Sequence, residues 1–176
     1  MPTLIDRTGR RDDAWQEFTA DAASVPAGAS VLLPLAEWRA NRARWLGHAA
    51  RVGVRLTPAD DPAAIADDLD VLALVAIEFP AFTDGRGYSI ARLLRERYGW
   101  KGELRAVGEV LRDQLFYLAR CGFDTFALSE GQSAEAALAA FADFSESYQS
   151  GVDRGPLFAR RLASAQAEPS AERAPA

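Results

Sequence analysis

VLALVAIEFPAFTDGRGYSIARLL, Val71 to Leu94, is the stretch on which the reading of the fold turns. From Val71 to Ile77 the residues are apolar with almost no alternation. A strand of that kind is buried on both faces, as in a parallel sheet covered by helices. The turn signals from Pro80 to Gly87 then give way to Ile90, Leu93, Leu94 and Tyr98, which fall on one helical face. Strand, turn and helix in that order are the first half of a βαβ unit.

The same alternation extends in both directions. Upstream, Val31–Leu33 and Val52–Leu56 are strand patterns separated by a helix over Leu35 to Ala50, in which Leu35, Trp38, Arg42, Trp45, Leu46 and Ala49 recur at spacings of three and four. Asp61-Pro62 predicts the start of a short helix, with Asp as N-cap and Pro at the first helical position. Downstream, Gly99 closes the arginine-rich helix as a C′ glycine, and Leu104–Val107 is the next strand, broken at Gly108. A helix starting near Asp113 follows, then a last strand, Thr125–Leu128, and a final helix capped by Ser133 with Ala137, Leu138, Phe141 and Phe144 as its apolar face. The expectation is a single α/β domain: a mostly parallel sheet of four to five strands with helices packed on it. Residues 1–30 read as an N-terminal extension, in which Met1 to Ile5 could form a short strand and Trp15 and Phe18 are isolated apolar anchors. Residues 31–160 form the α/β domain. Residues 161–176, rich in Ala, Pro, Ser and Glu, read as a disordered tail.

Composition narrows the functions. At 176 residues with a hydrophobic fraction of 49%, the chain can build one proper core. A net charge of -5 argues against a general nucleic-acid binder. One cysteine, Cys121, and one histidine, His48, allow no internal disulfide, and neither an iron–sulfur cluster nor a structural zinc site can be assembled from them. The first residues carry no apolar signal region and no run reaches about 18 apolar residues, so no membrane association and a cytoplasmic location are expected.

The best site candidate is the turn Gly85 to Ser89 with its following helix. Two glycines there allow close backbone approach, and a helix start offers free N–H donors and a positive dipole end. Arg86, Gly87, Tyr88 and Ser89, with Arg112 at the same sheet edge, are therefore candidates to bind an oxyanion or a phosphate-bearing cofactor. The competing reading is a tight turn in which Arg86 pairs with Asp84 or Asp113. Ile90 stands where the third glycine of a dinucleotide fingerprint belongs. Glu103 and Arg105, charged residues flanking Leu104 in a strand, suggest a sheet edge or a cleft lining. Cys121 at a helix C-terminus reads as a buried small residue, and no catalytic or metal-binding residue is assigned.

The segment DGRGYSIARLLRERYGWKGELRAVGEVLRDQLFYLARCGFDTF, Asp84 to Phe126, with FSESYQ at Phe144 to Gln149, closely resembles a bacterial family of domains of unknown function. Its members are described as candidate oxidoreductases of sulfite reduction. They tend to be encoded beside the sulfite (or nitrite) reductase haemoprotein and the phosphoadenylyl-sulfate reductase. The resemblance spans roughly residues 30 to 150 and brings no established catalytic mechanism. It implies a part in assimilatory sulfate reduction, either as an accessory protein that binds the reductase or an oxyanion, or as a small oxidoreductase with a phosphate-bearing cofactor at Gly85 to Ser89. The sulfite reductase haemoprotein is the partner it implies.

Overall fold

A computed structural model of the chain describes residues 2–19, 25–143 and 151–152. The expected tail at 161–176 and the FSESYQ segment lie outside the described residues.

The five expected strands form and run parallel. They are β3 (Ser30–Pro34), β4 (Arg51–Leu56), β5 (Leu74–Phe79), β6 (Glu103–Gly108) and β7 (Thr125–Leu128). The expectation of a mostly parallel sheet of four to five strands is nevertheless corrected. The sheet has seven strands and is mixed, in the order β1-β7-β6-β5-β4-β3-β2. β2 (Trp15–Glu17) adds in parallel beside β3, and β1 (Thr3–Ile5) adds antiparallel beside β7. Each is three residues long, too short to leave a periodic signature. What makes them strands is the backbone donors and acceptors that the two sheet edges leave unpaired.

From β3 to β7 every strand is laid beside the one before it. Connections of one hand between such neighbours all fall on one face of the sheet. The helices accordingly share a single core with one set of strand residues. Trp38 and Trp45 of α1 (Leu35–His48), Ile90 of α2 (Arg86–Arg92) and Leu115 and Leu118 of α3 (Leu115–Arg120) pack with Leu33, Val54, Val75, Ile77 and Leu104. A last helix, α4 (Ala134–Ala140), is N-capped by the Ser133 side chain, which accepts from Ala136 N–H. The alternate strand residues Leu32, Leu74 and Ala76 belong to a separate small cluster with Trp15 and Val107. The sheet therefore has one face covered by helices and one without, which departs from the two-sided cover that the Val71–Ile77 run suggested. That run also begins later than expected. Val71 ends a 3₁₀ helix, Pro62–Val71, and is exposed, while Leu74 is fully buried.

The sheet curls. Pro2, next to one edge strand, and Glu17, on the other, line the same cleft. Between them the chain runs over the open face. After a turn held by Asp6, whose carboxylate accepts from Thr8 and Gly9 N–H, residues 11–15 pass across Arg51, Glu103, Arg105 and Thr125. The Trp15 ring lies against Gly53, where an added Cβ would meet it at 3.1 Å, and under the Arg51 guanidinium, 4.9 Å from the ring centre. A Cβ at position 53 would require the Trp15 ring, Leu74 and Leu32 to give by a few tenths of an ångström.

α2 does not stop cleanly. It continues as a π-helical turn, Leu93–Arg97, in which Tyr98 N–H reaches back to Leu93 C=O at 3.0 Å. Gly99, at φ +68°, then ends it as the sequence predicts. The turn directs Arg95 inward, where its guanidinium donates to the carbonyls of Gly122, Trp100 and Gly102 and to the Asp124 carboxylate.

Candidate functional site

In an α/β sheet, ligands bind beyond the carboxyl ends of the parallel strands. Here that edge meets the open face in a cleft of about 360 Å³, inside the range of about 300–1,000 Å³ usual for small-molecule sites. Its floor is apolar, with Leu32, Val107 and Ala127, and the Trp15 ring forms one wall. Its charged lining is Asp13, Glu17, Arg55, Glu78, Arg105 and Glu130.

The strand period explains how these groups meet. Arg55 pairs in register with Ala76, and Ala76 with Arg105; Glu78 pairs with Val107 on the same face. Residues two apart on a strand share a face, so Arg55, Glu78, Glu103 and Arg105 all project to the side that no helix covers. Glu17 arrives from β2, which lies beside Leu32.

The two arginines differ in how their donors are used. Arg105 is 4% exposed and bonded through all three of its nitrogens. Its Nη1 donates to both Asp13 carboxylate oxygens at 2.9 and 3.0 Å, and its Nε and Nη2 donate to Glu103 Oε1 at 3.2 and 2.9 Å. Glu103 Oε1 also accepts from the Thr125 hydroxyl at 2.7 Å. This network fastens the crossing N-terminal segment to β6 and β7. Arg55 is different. Its closest acidic oxygens, on Glu17 and Glu78, stand at 3.7 and 3.8 Å, which is ion-pair distance but too long for a hydrogen bond. Its side chain is about one-third exposed. Among the described residues, Arg55 is thus a cation in a cleft with its directional donors unspent.

The turn singled out from sequence has other engagements. Arg86 donates from Nε and Nη2 to the two Asp84 carboxylate oxygens at 3.0 and 2.7 Å, a two-point pair at the surface. That pairing holds the Asp84 carboxyl below its ordinary range, chiefly through the hydrogen bond from the Arg86 side chain. Tyr88 N–H is bonded to Gly85 C=O at 3.2 Å. Gly87 is buried, and an added Cβ would lie 2.7 Å from the Phe79 ring, so here the glycine serves close helix–strand packing. The Tyr88 ring sits between those of Phe79 and Tyr117, at 5.1 and 4.9 Å, and burial raises its phenol pKa. Ser89 is exposed beside Arg92 and Glu96. Arg112 is held against α4 and the residues after it, donating to Ala136 C=O at 3.0 Å and to Asp143 at 2.8 Å. Among the described residues Arg86 and Arg112 share no partner, and an oxyanion at the turn would have to displace Asp84 from Arg86.

Cys121 is buried, and burial pushes its thiol pKa up, which fits a packing residue. Among the described residues no group of three or more His, Cys, Asp and Glu side chains is placed to hold a metal ion, and no helix is long and apolar enough to cross a membrane.

Sequence reading places Glu78 at the carboxyl end of its strand and suggests a cleft for Glu103 and Arg105, but passes over Arg55 and Glu17. The available signal is charge at every second strand position, Arg51 and Arg55 around Gly53, and Glu103 with Arg105.

No curated protein matches the chain. A family model does: that of bacterial protein of unknown function (DUF934), over residues 53–158, a segment that contains Arg55, Glu78, Glu103 and Arg105 and leaves the crossing N-terminal segment outside. With more than half of its length matched, the chain belongs to this bacterial family of proteins of unknown function.

Proposed function

We propose that the protein is a cytoplasmic accessory component of assimilatory sulfate and sulfite reduction, which acts by binding rather than by carrying redox chemistry itself. The link to sulfite reduction rests on the family resemblance. The binding role rests on the open-face cleft, and above all on Arg55, whose guanidinium makes no hydrogen bond within the described residues. A single cysteine that is buried and a single histidine bonded to the Val25 carbonyl leave the chain few groups for redox work of its own. The reading with a phosphate-bearing cofactor at Gly85 to Ser89 would require Arg86 to leave Asp84, and is the weaker of the two.

The test is affinity capture of the tagged full-length protein from cells grown on sulfate as sole sulfur source. The sulfite reductase haemoprotein should be enriched over the same capture from cells grown on cysteine. Absence of that enrichment, together with unchanged growth on sulfate when the gene is deleted, would remove the assignment to sulfite reduction.

A further inference from the structure

We infer that the open-face cleft binds a small zwitterion of amino-acid size, its carboxylate on Arg55 and its ammonium on Glu78 and Glu17. This rests on the reading of the cleft as the binding site and names the ligand class. Three charged groups converge there, and among the described residues none of their side chains makes a hydrogen bond. Arg55 Nη1 stands 3.7 Å from Glu17 Oε2, and Arg55 Nε stands 3.8 Å from Glu78 Oε2. Arg55 and Glu78 are each about one-third exposed, so both are partly withdrawn from water. Partly buried polar groups are ordinarily paired, and Arg55 and Glu78 leave a fork of donors beside an acceptor, with the more exposed Glu17 carboxylate as a second acceptor at the rim.

The sign of the lining decides between ligand classes. Arg105 is neutralised by Asp13 and Glu103. Among the described residues that line the cleft, that leaves one cation, Arg55, among Glu17, Glu78 and Glu130. An inorganic oxyanion bonded to Arg55 would lie beside two carboxylates and be repelled by them. A simple amine would satisfy the acids but leave the Arg55 fork unmatched. A molecule with a carboxylate and an ammonium a few ångströms apart meets both demands, since a guanidinium matches a carboxylate at two points. The apolar floor of Leu32, Val107 and Ala127 and the Trp15 ring then offer a wall for a side chain. The cleft volume of about 360 Å³ leaves room for such a ligand with some water.

The experiment is titration calorimetry on the full-length protein with the standard free α-amino acids, with acetate and methylamine as single-charge probes, and with sulfite. At least one amino acid should bind, and acetate and methylamine should bind at least about ten-fold more weakly, the factor that one lost charged hydrogen bond brings. Arg55→Ala and Glu78→Gln should each weaken that amino acid by about ten-fold or more while melting within a few degrees of wild type. Sulfite or acetate binding as tightly as any amino acid, in an Arg55-dependent way, overturns the zwitterion but keeps the cleft as a site. Failure of every probe, or amino-acid binding indifferent to both substitutions, overturns the inference. Neither result bears on capture of the haemoprotein, so the two readings fail separately.

Discussion

The two faces of the sheet are made from alternate residues of the same strands, yet they behave as different materials. On the helix-covered face Leu33, Val54, Val75, Ile77, Leu104 and Phe126 are buried without a polar group among them. On the other face the same strands carry Arg55, Glu78, Glu103, Arg105 and Thr125 around a small apolar patch of Leu32, Leu74 and Ala76. The first face is held by water exclusion over a large contiguous area. The second is held by a buried guanidinium and a nine-residue crossing of the chain between Ile5 and Trp15. The lesson is that a sheet wound in one direction frees one face from packing duty, and that freed face can keep charged groups at fixed positions on rigid strands.

The sharpest way to break this comparison is to weaken each face in turn. Ile77→Ala, in the centre of the covered face, should cost about 3–5 kcal/mol through lost transfer energy and the cavity left behind. Chemical denaturation measures this, and a loss below about 1 kcal/mol would show that the covered face is not the main source of stability. Arg105→Ala should cost about 2–3 kcal/mol, somewhat below the usual figure for breaking a buried pair, because Asp13 stays half in water. In addition, hydrogen exchange should rise across residues 11–17, since the crossing segment loses its anchor. Unchanged exchange there would mean that Trp15 on Gly53 holds the segment unaided.

Arg55→Ala sharpens the contrast from the other side. Its pairs are long and partly in water, so stability should change by no more than about 0.5 kcal/mol. A clearly larger loss would make Arg55 a structural residue and weaken the case for a binding cleft.

The smallest expected effect concerns the surface pair Asp84 and Arg86. The folded pKa of Asp84 is lowered, chiefly by the Arg86 hydrogen bond, so the pair stabilises the fold above the ordinary aspartate range and loses that contribution as pH falls through the lowered value. Because the Arg86 side chain is largely in water and its charge is screened there, the acid limbs of the stability curves of wild type and Arg86→Ala should nearly coincide. A marked divergence near pH 4, where aspartate carboxyls ordinarily titrate, would show that the pair matters more than its exposure implies.

Much of the fold is legible in the chain. The Asp61-Pro62 helix start, Gly99 as a helix stop and Ser133 as a cap all act through nearest neighbours and form as read, while the apolar run Val71 to Ile77 gives a strand that begins only at Leu74. Trp15 shows the opposite case. It reads as a lone apolar anchor, and becomes part of a strand only because β3 offers an unpaired edge and Gly53 leaves space for its ring. The glycines at 85 and 87 illustrate a third case. In the sequence they read as ligand-facing, while in the fold Gly87 serves contact with Phe79 and Gly85 sits at an ordinary helical φ of -83°. Sequence shows that a glycine is needed, but not whether a ligand or a ring takes the space.

By itself the sequence determined the alternation of strands and helices, their caps and stops, the single cysteine and histidine, and the net acidic charge. These depend on dihedral preference, hydrophobic period and composition, which are local or additive. Only the tertiary structure decided that the helices share one face, that residues 3–17 complete both edges of the sheet, and that Arg105 is spent on Asp13 while Arg55 meets Glu17 and Glu78 only at ion-pair distance. Those outcomes depend on which groups meet across long separations in the chain. Asp13 and Arg105 are 92 residues apart, and no local preference of either residue specifies the other as its partner.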